Sequence, residues 1–165
     1  MVSIRDYQTE GSAQGRIMAW GSAIRMALSN PIFGVGGGHF PVKYGTEFRP
    51  PGYGRTDHPW SNAHSIYFKI LGEFGFPGII FLLAILISNF ISNEKYQKYV
   101  SIADSGSNNS NIRLLIAINS GLIGFAVAGA FLSGINYPHL YVLCGLMEAS
   151  RKILENDLKN KELTT

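Results

Sequence analysis

Charge is scarce in this chain: 15% of its 165 residues are Asp, Glu, Lys or Arg, against about 25% in an average soluble domain. The shortage is local. Residues 76–92 and 114–132 contain none of the four, which excludes a soluble domain with an evenly polar surface. Mean hydropathy is only +0.10, because polar stretches dilute these two blocks. The composition is that of a membrane protein with sizeable loops. Cysteine is limited to Cys144. A lone thiol forms no internal disulfide and leaves the redox compartment unread; in its apolar stretch it reads as a small buried residue. No run of Lys and Arg forms a basic patch, and a net charge of +3 is too weak for nucleic-acid binding. An apolar core is missing from residues 1–12, which excludes a secretory signal there. The chain therefore reads as a piece of a longer protein, since the topology below places its N-terminal part outside the cytoplasm.

What is present is helical pattern and turn chemistry. Residues 12–29 repeat Ile17, Trp20, Ile24 and Leu28 at helical steps, which predicts a helix with that apolar stripe. Ser12 is its expected N-cap, and Asn30-Pro31 its end, because proline disfavours the helical conformation just before it. Residues 34–38 are glycine-rich, and 41–61 form an irregular loop carrying four prolines and the aromatics Tyr44, Phe48, Tyr53 and Trp60. Residues 62–74 resume helical spacing, with Ala63, Tyr67, Ile70, Leu71 and Phe74 on one face. Gly75 supplies a stop and Pro77 a new start.

Three membrane helices are expected: 76–92, 112–132 and 136–154, the first near the lower limit of bilayer length. Gly121, Gly124 and Ala128 suit close helix packing in lipid, and Asn119 requires a partner there. Lys95, Lys98 and Arg113 flank the 93–111 segment, and Arg151, Lys152, Lys159 and Lys161 come after the apolar stretch 139–150 of the third span. Positive flanks lie on the cytoplasmic side. This puts 93–111 (a loop) and the tail 156–165 in the cytoplasm, and 1–74 outside it.

Chemistry-bearing residues gather in the N-terminal loop. His64 serves either as an acid–base group near neutral pH or as a structural hydrogen-bonding residue. Residues 34–38 make either an anion-cradling nest of N–H groups or a plain turn. Glu73 is an accessory site residue or a surface carboxylate. Arg25, Arg49 and Arg55 have the charge to reach a phosphate, but no motif places them; Arg55 is kept as accessory. His39, His58 and His64 fit no compact metal spacing, so neither metal nor cofactor is expected. Trp60 and Tyr67 read as packing aromatics.

Two patterns carry a resemblance. One is His64-Ser65, nine residues, then Gly75-Phe76-Pro77-Gly78, running into an apolar span. The other is Arg16-Ile17-Met18-Ala19-Trp20 followed by Asn30-Pro31-Ile32-Phe33-Gly34-Val35-Gly36. In this order they resemble, over roughly residues 12–150, the O-antigen ligases and the related polymerases and protein O-glycosyl ligases. The resemblance implies an all-α, multi-pass, GT-C-like glycosyltransferase of the bacterial inner membrane, with residues 1–74 as a periplasmic catalytic loop. It implies a glycan donor on undecaprenyl diphosphate and an acceptor hydroxyl on lipid A-core, another glycan or a protein, without a metal. Carried over, His64 activates the acceptor, Arg16 holds the diphosphate, Ser65 contacts substrate, and Gly75 and Gly78 are structural. The family also uses a further loop arginine upstream and many more membrane helices; neither has a counterpart here.

Two other classes compete. A non-catalytic membrane subunit or transporter segment would show polar groups along its spans, and here they are few: Asn89, Asn119 and small hydroxyls. A soluble enzyme is incompatible with the two charge-free blocks.

Overall fold

The computed structural model describes residues 4–51, 61–103, 109–132 and 138–163. The elements are α1 (Ile4–Ser29), α2 (Phe40–Lys43), a π turn (Tyr44–Phe48), α3 (Ile66–Ala103), α4 (Asn109–Gly129) and α5 (His139–Leu163). Among the described residues there is no strand, in keeping with the all-α expectation. They fall into two compact units, one within Met1–Leu82 and Gly129–Ile135, the other within Leu83–Ala128 and Asn136–Thr165.

In the first unit α1 begins at Ile4, so Ser12 lies inside it and is not its N-cap. It ends at Ser29, just ahead of the Asn30-Pro31 pair. The apolar stripe read from its sequence is not the side that this unit buries. Ile17, Ile24 and Leu28 are 61%, 44% and 65% exposed, while Ala19, Ser22, Ala23, Met26 and Ala27 are buried. The core that covers them contains Phe40, Tyr44 and Ala63, with Val35, Phe48 and Phe68 at its edge. Bulky rings come from the loop and small side chains from the helix, so the two surfaces interlock closely. Periodicity registers apolar character, not volume, and so selected the larger aliphatics. The Ser22 hydroxyl donates to the Phe48 carbonyl oxygen (2.8 Å), and Arg25 Nη2 donates to the same oxygen (2.8 Å). These bonds tie the end of the π turn to α1.

The break at Gly75 falls where the sequence places it. Gly75 has φ 67° and ψ −161° inside α3, a region open essentially to glycine alone. Here the chain receives the 31–36 turn. Phe76 N donates to Pro31 O (2.9 Å), Val35 N to Gly72 O (2.9 Å) and Gly36 N to Glu73 O (3.0 Å). A Cβ on Gly75 would stand 2.4 Å from Pro31 O, and one on Gly34 2.5 Å from Gly72 O. Two segments far apart in sequence thus meet backbone to backbone, with a glycine on each side of the contact. The helical start expected at 62 comes at Ile66. Its covered residues are Ile66, Lys69, Ile70 and Glu73, while Phe74 is exposed.

In the second unit α3 runs on to Ala103, so residues 93–103, expected as loop, are helical. Glu94, Lys95, Gln97 and Lys98 are good helix formers; charge ends the apolar block there without ending the helix. α5 likewise extends past residue 154 to Leu163. Asn119 has its partner: Asn93 Nδ2 donates to Asn119 Oδ1 (2.9 Å) and to Leu115 O (2.8 Å). Arg151 Nη2 donates to Asn89 Oδ1 (3.3 Å). The stretch Ile66–Lys98 of α3 is long and apolar enough to cross a membrane, and Arg113–Gly129 is a shorter apolar helix.

Candidate functional site

The site is assembled around the start of α3. Trp20 Nε1, on α1, donates to the carbonyl oxygen of Ala63 at 2.8 Å. The indole also stacks on Phe68, with ring centroids 4.9 Å apart and planes at 11°. These two contacts hold the peptide that leads into His64. His64 is exposed and adopts φ 49°. A left-handed conformation costs a non-glycine residue on the order of 1–2 kcal/mol, and such strain persists where neighbours over-determine it. The neighbours are Ala63, fully buried and bonded to Trp20, and Ser65, buried at the head of α3. The turn therefore projects the imidazole outward while its flanks are held inside.

Arg16 lies one helical turn before Trp20 on α1, half-buried. Among the described residues no hydrogen bond or ion pair engages its guanidinium, and none joins it to His64. Ser65 is 1% exposed, and its Oγ has no hydrogen-bond partner. Glu73 is buried, and its Oε1 accepts a hydrogen bond from Phe40 N (3.2 Å); it braces the glycine-rich turn from beneath. A Cβ on Gly78 would lie 2.5 Å from the Phe74 Cβ. Arg55 lies outside the described residues.

Several alternatives narrow. The N–H groups of Gly34, Val35 and Gly36 are spent on backbone carbonyls, which takes three of the five residues 34–38 out of an anion nest. Arg25 is committed to Phe48 O and Ser22. Lys69 is a covered residue that the sequence reading did not single out. It is only 8% exposed and sits one turn after Ser65. The four-residue spacing of Ser65, Lys69 and Glu73 was the available signal, since it puts all three on one side of a helix.

The described residues are helix and turn, with one helix long and apolar enough to cross a membrane, led into by a strained histidine turn. The family model described as O-Antigen ligase matches residues 1–83, and the chain belongs to that family. The match takes in both motifs and the first part of the apolar helix; it is narrower than the 12–150 span of the sequence resemblance. The family is one of membrane proteins that carry out glycan transfer of the ligase or polymerase type. No curated protein and no solved structure matches the chain.

Proposed function

We propose that the chain takes part in transfer of a glycan from an undecaprenyl diphosphate carrier to an acceptor hydroxyl, as a surface-polysaccharide ligase. The observation that carries this reading is the His64 turn, fixed by Trp20 and exposed at the head of the apolar helix. A ring nitrogen of His64 takes the proton of the acceptor hydroxyl. The oxygen bonds to the anomeric carbon, and the bond from that carbon to the diphosphate breaks. The diphosphate leaves with its negative charge, which the Arg16 guanidinium stabilises through planar donors suited to phosphate oxygens. Arg55 and Glu73 remain accessory to this chemistry, Glu73 through its support of the turn.

In this reading the protein is multi-pass in the bacterial inner membrane, and residues 1–74 face the periplasm. Exposed Ile80, Phe81, Ile87, Ile123, Val127 and Val142 support a lipid-facing surface. In the second unit Asn93 bonds to Asn119 and Arg151 to Asn89. A polymerase, or a protein O-glycosyl ligase, shares the donor chemistry and differs in its acceptor.

Replacement of His64 with alanine in the complete protein is expected to lower glycan transfer by about 100-fold or more, with membrane insertion and thermal unfolding unchanged. Transfer at the normal rate would remove the assignment. Supplying lipid A-core, free glycan or protein acceptors to the same preparation separates ligase from polymerase and protein glycosylation.

A further inference from the structure

Beside the Gly75 break the first unit leaves a group of large apolar side chains uncovered. Phe33 is 81% exposed, and Ile32, Phe74 and Phe76 are exposed with it. They lie at one level. Phe76 N donates to Pro31 O (2.9 Å) and Gly36 N to Glu73 O (3.0 Å), so the 31–36 turn runs alongside residues 73–76. A Cβ on Gly75 would lie 3.1 Å from the Ile32 carbonyl carbon, and one on Gly37 would lie 3.0 Å from the tip of the Phe74 ring. That level is also a chemical boundary. Glu73 is the last charged residue before the 76–92 block, and Ile80 and Phe81, the next turn along α3, are again exposed. Charge is missing from the turn as well: residues 26–42 contain no Asp, Glu, Lys or Arg. The exposed side of α1 differs in this, because Ile24 is followed by an exposed Arg25. Large uncovered apolar groups with no charge among them are unfavourable in water and mark a surface that something else covers.

We propose that the Ile32-Phe33 turn is an interfacial anchor, set into the lipid of the bilayer that α3 crosses; the inference rests on that crossing. Ile32, Phe33, Phe74 and Phe76 lie at the upper ends of the acyl chains, where buried apolar area supplies the binding. The occupant is lipid because the turn is bonded to the residues at which the apolar span begins. Its exposed surface therefore continues the exposed surface of Ile80 and Phe81. The backbone suits that position too. The N–H groups of Gly34, Val35 and Gly36 and the carbonyl of Pro31 are already bonded, which lowers the cost of bringing irregular backbone to the edge of the hydrocarbon. The anchor has a consequence for the site. Trp20, on the helix that ends at the turn, holds the Ala63 carbonyl (2.8 Å), so fixing the turn to lipid also fixes the height of His64 above it.

The complete protein in nanodiscs of phosphatidylcholine that carries a diazirine on its acyl chain tests the inference. After illumination, peptide mass spectrometry should find lipid adducts on Ile32 and Phe33 as well as on the 76–92 segment. A second preparation carries a fluorescent label on Phe33→Cys, with Cys144 and any other thiol replaced; Phe33 is so little covered that the substitution leaves the packing of the unit in place. A doxyl group on the upper acyl chain should remove most of the fluorescence, and iodide in the water should remove little. Adducts on 76–92 with none on residues 31–36 overturn the inference and leave the membrane helix standing. A label that iodide quenches and doxyl does not also overturns it. So does a label that neither quencher reaches, since protein then covers the turn. Absence of adducts from both segments removes the inference together with the crossing of α3 on which it rests.

Discussion

The two units are held by different means. In the first, backbone meets backbone: Pro31, Val35 and Gly36 bond to Gly72, Glu73 and Phe76, and the chain approaches so closely that Gly34 and Gly75 have no room for a Cβ. In the second, helices meet through side-chain amides, Asn93 with Asn119 and Asn89 with Arg151. Backbone contact is unforgiving, because it depends on atoms that every residue carries and on conformations that few adopt. Side-chain contact tolerates change, because the paired groups can be replaced together. The residues of the family motif lie in the unforgiving unit, where a strained histidine turn is held in place.

The sharpest test of this contrast is Gly75→Ala. Alanine is excluded from φ 67°, ψ −161°, and its Cβ would strike Pro31 O, so destabilisation above about 3 kcal/mol is expected. Denaturant unfolding and limited proteolysis around residues 31–36 would read it; a stable, protease-resistant variant would mean that the backbone contact is not what holds the unit. A smaller effect is expected in the second unit. Asn93→Ala leaves Asn119 and the Leu115 carbonyl with one partner fewer, at about 1–2 kcal/mol. Replacing Asn93 and Asn119 by leucine together should restore much of that loss, which a double-mutant cycle measures. Additive losses would contradict side-chain pairing as the source of the unit's tolerance. The smallest effect is expected at Ile17→Ser on the uncovered side of α1, within about 0.5 kcal/mol in detergent. A loss of 2 kcal/mol or more would show that this side is covered after all.

Local signals were legible where one residue type forces one outcome. Pro31 marks the end of α1, and Gly75 followed by Pro77 marks the break in α3. The His64-to-Gly78 spacing was readable, and so was the need of Asn119 for a partner. Face assignment was not. α1 offers two apolar sides, one of large aliphatics and one of alanines and Met26, and hydropathy favours the first although the structure buries the second. The extent of α3 beyond residue 92 was hidden for a related reason: polarity marks where lipid contact would cease, while helix propensity continues through Glu94 and Lys98.

Within the site the division is the same. His64, Arg16 and the glycines are visible as types at a spacing. Lys69 looks like an ordinary helical lysine until the packing around α3 shows that the residue is largely covered. The sequence by itself determined the all-helical class, the charge-free block that makes α3 apolar enough for a membrane, the breaks at Pro31 and Gly75, and the motif that places the chain in the O-antigen ligase family. Only the tertiary structure decided which side of α1 is buried, that the Pro31 turn seats on the Gly75 break, that Trp20 steadies the peptide before His64, and that Ser65 is buried at the head of α3. The physical reason is range. Helix stops and apolar blocks arise from neighbours along the chain. Burial, strain and the pairing of charges arise from segments that folding alone brings together.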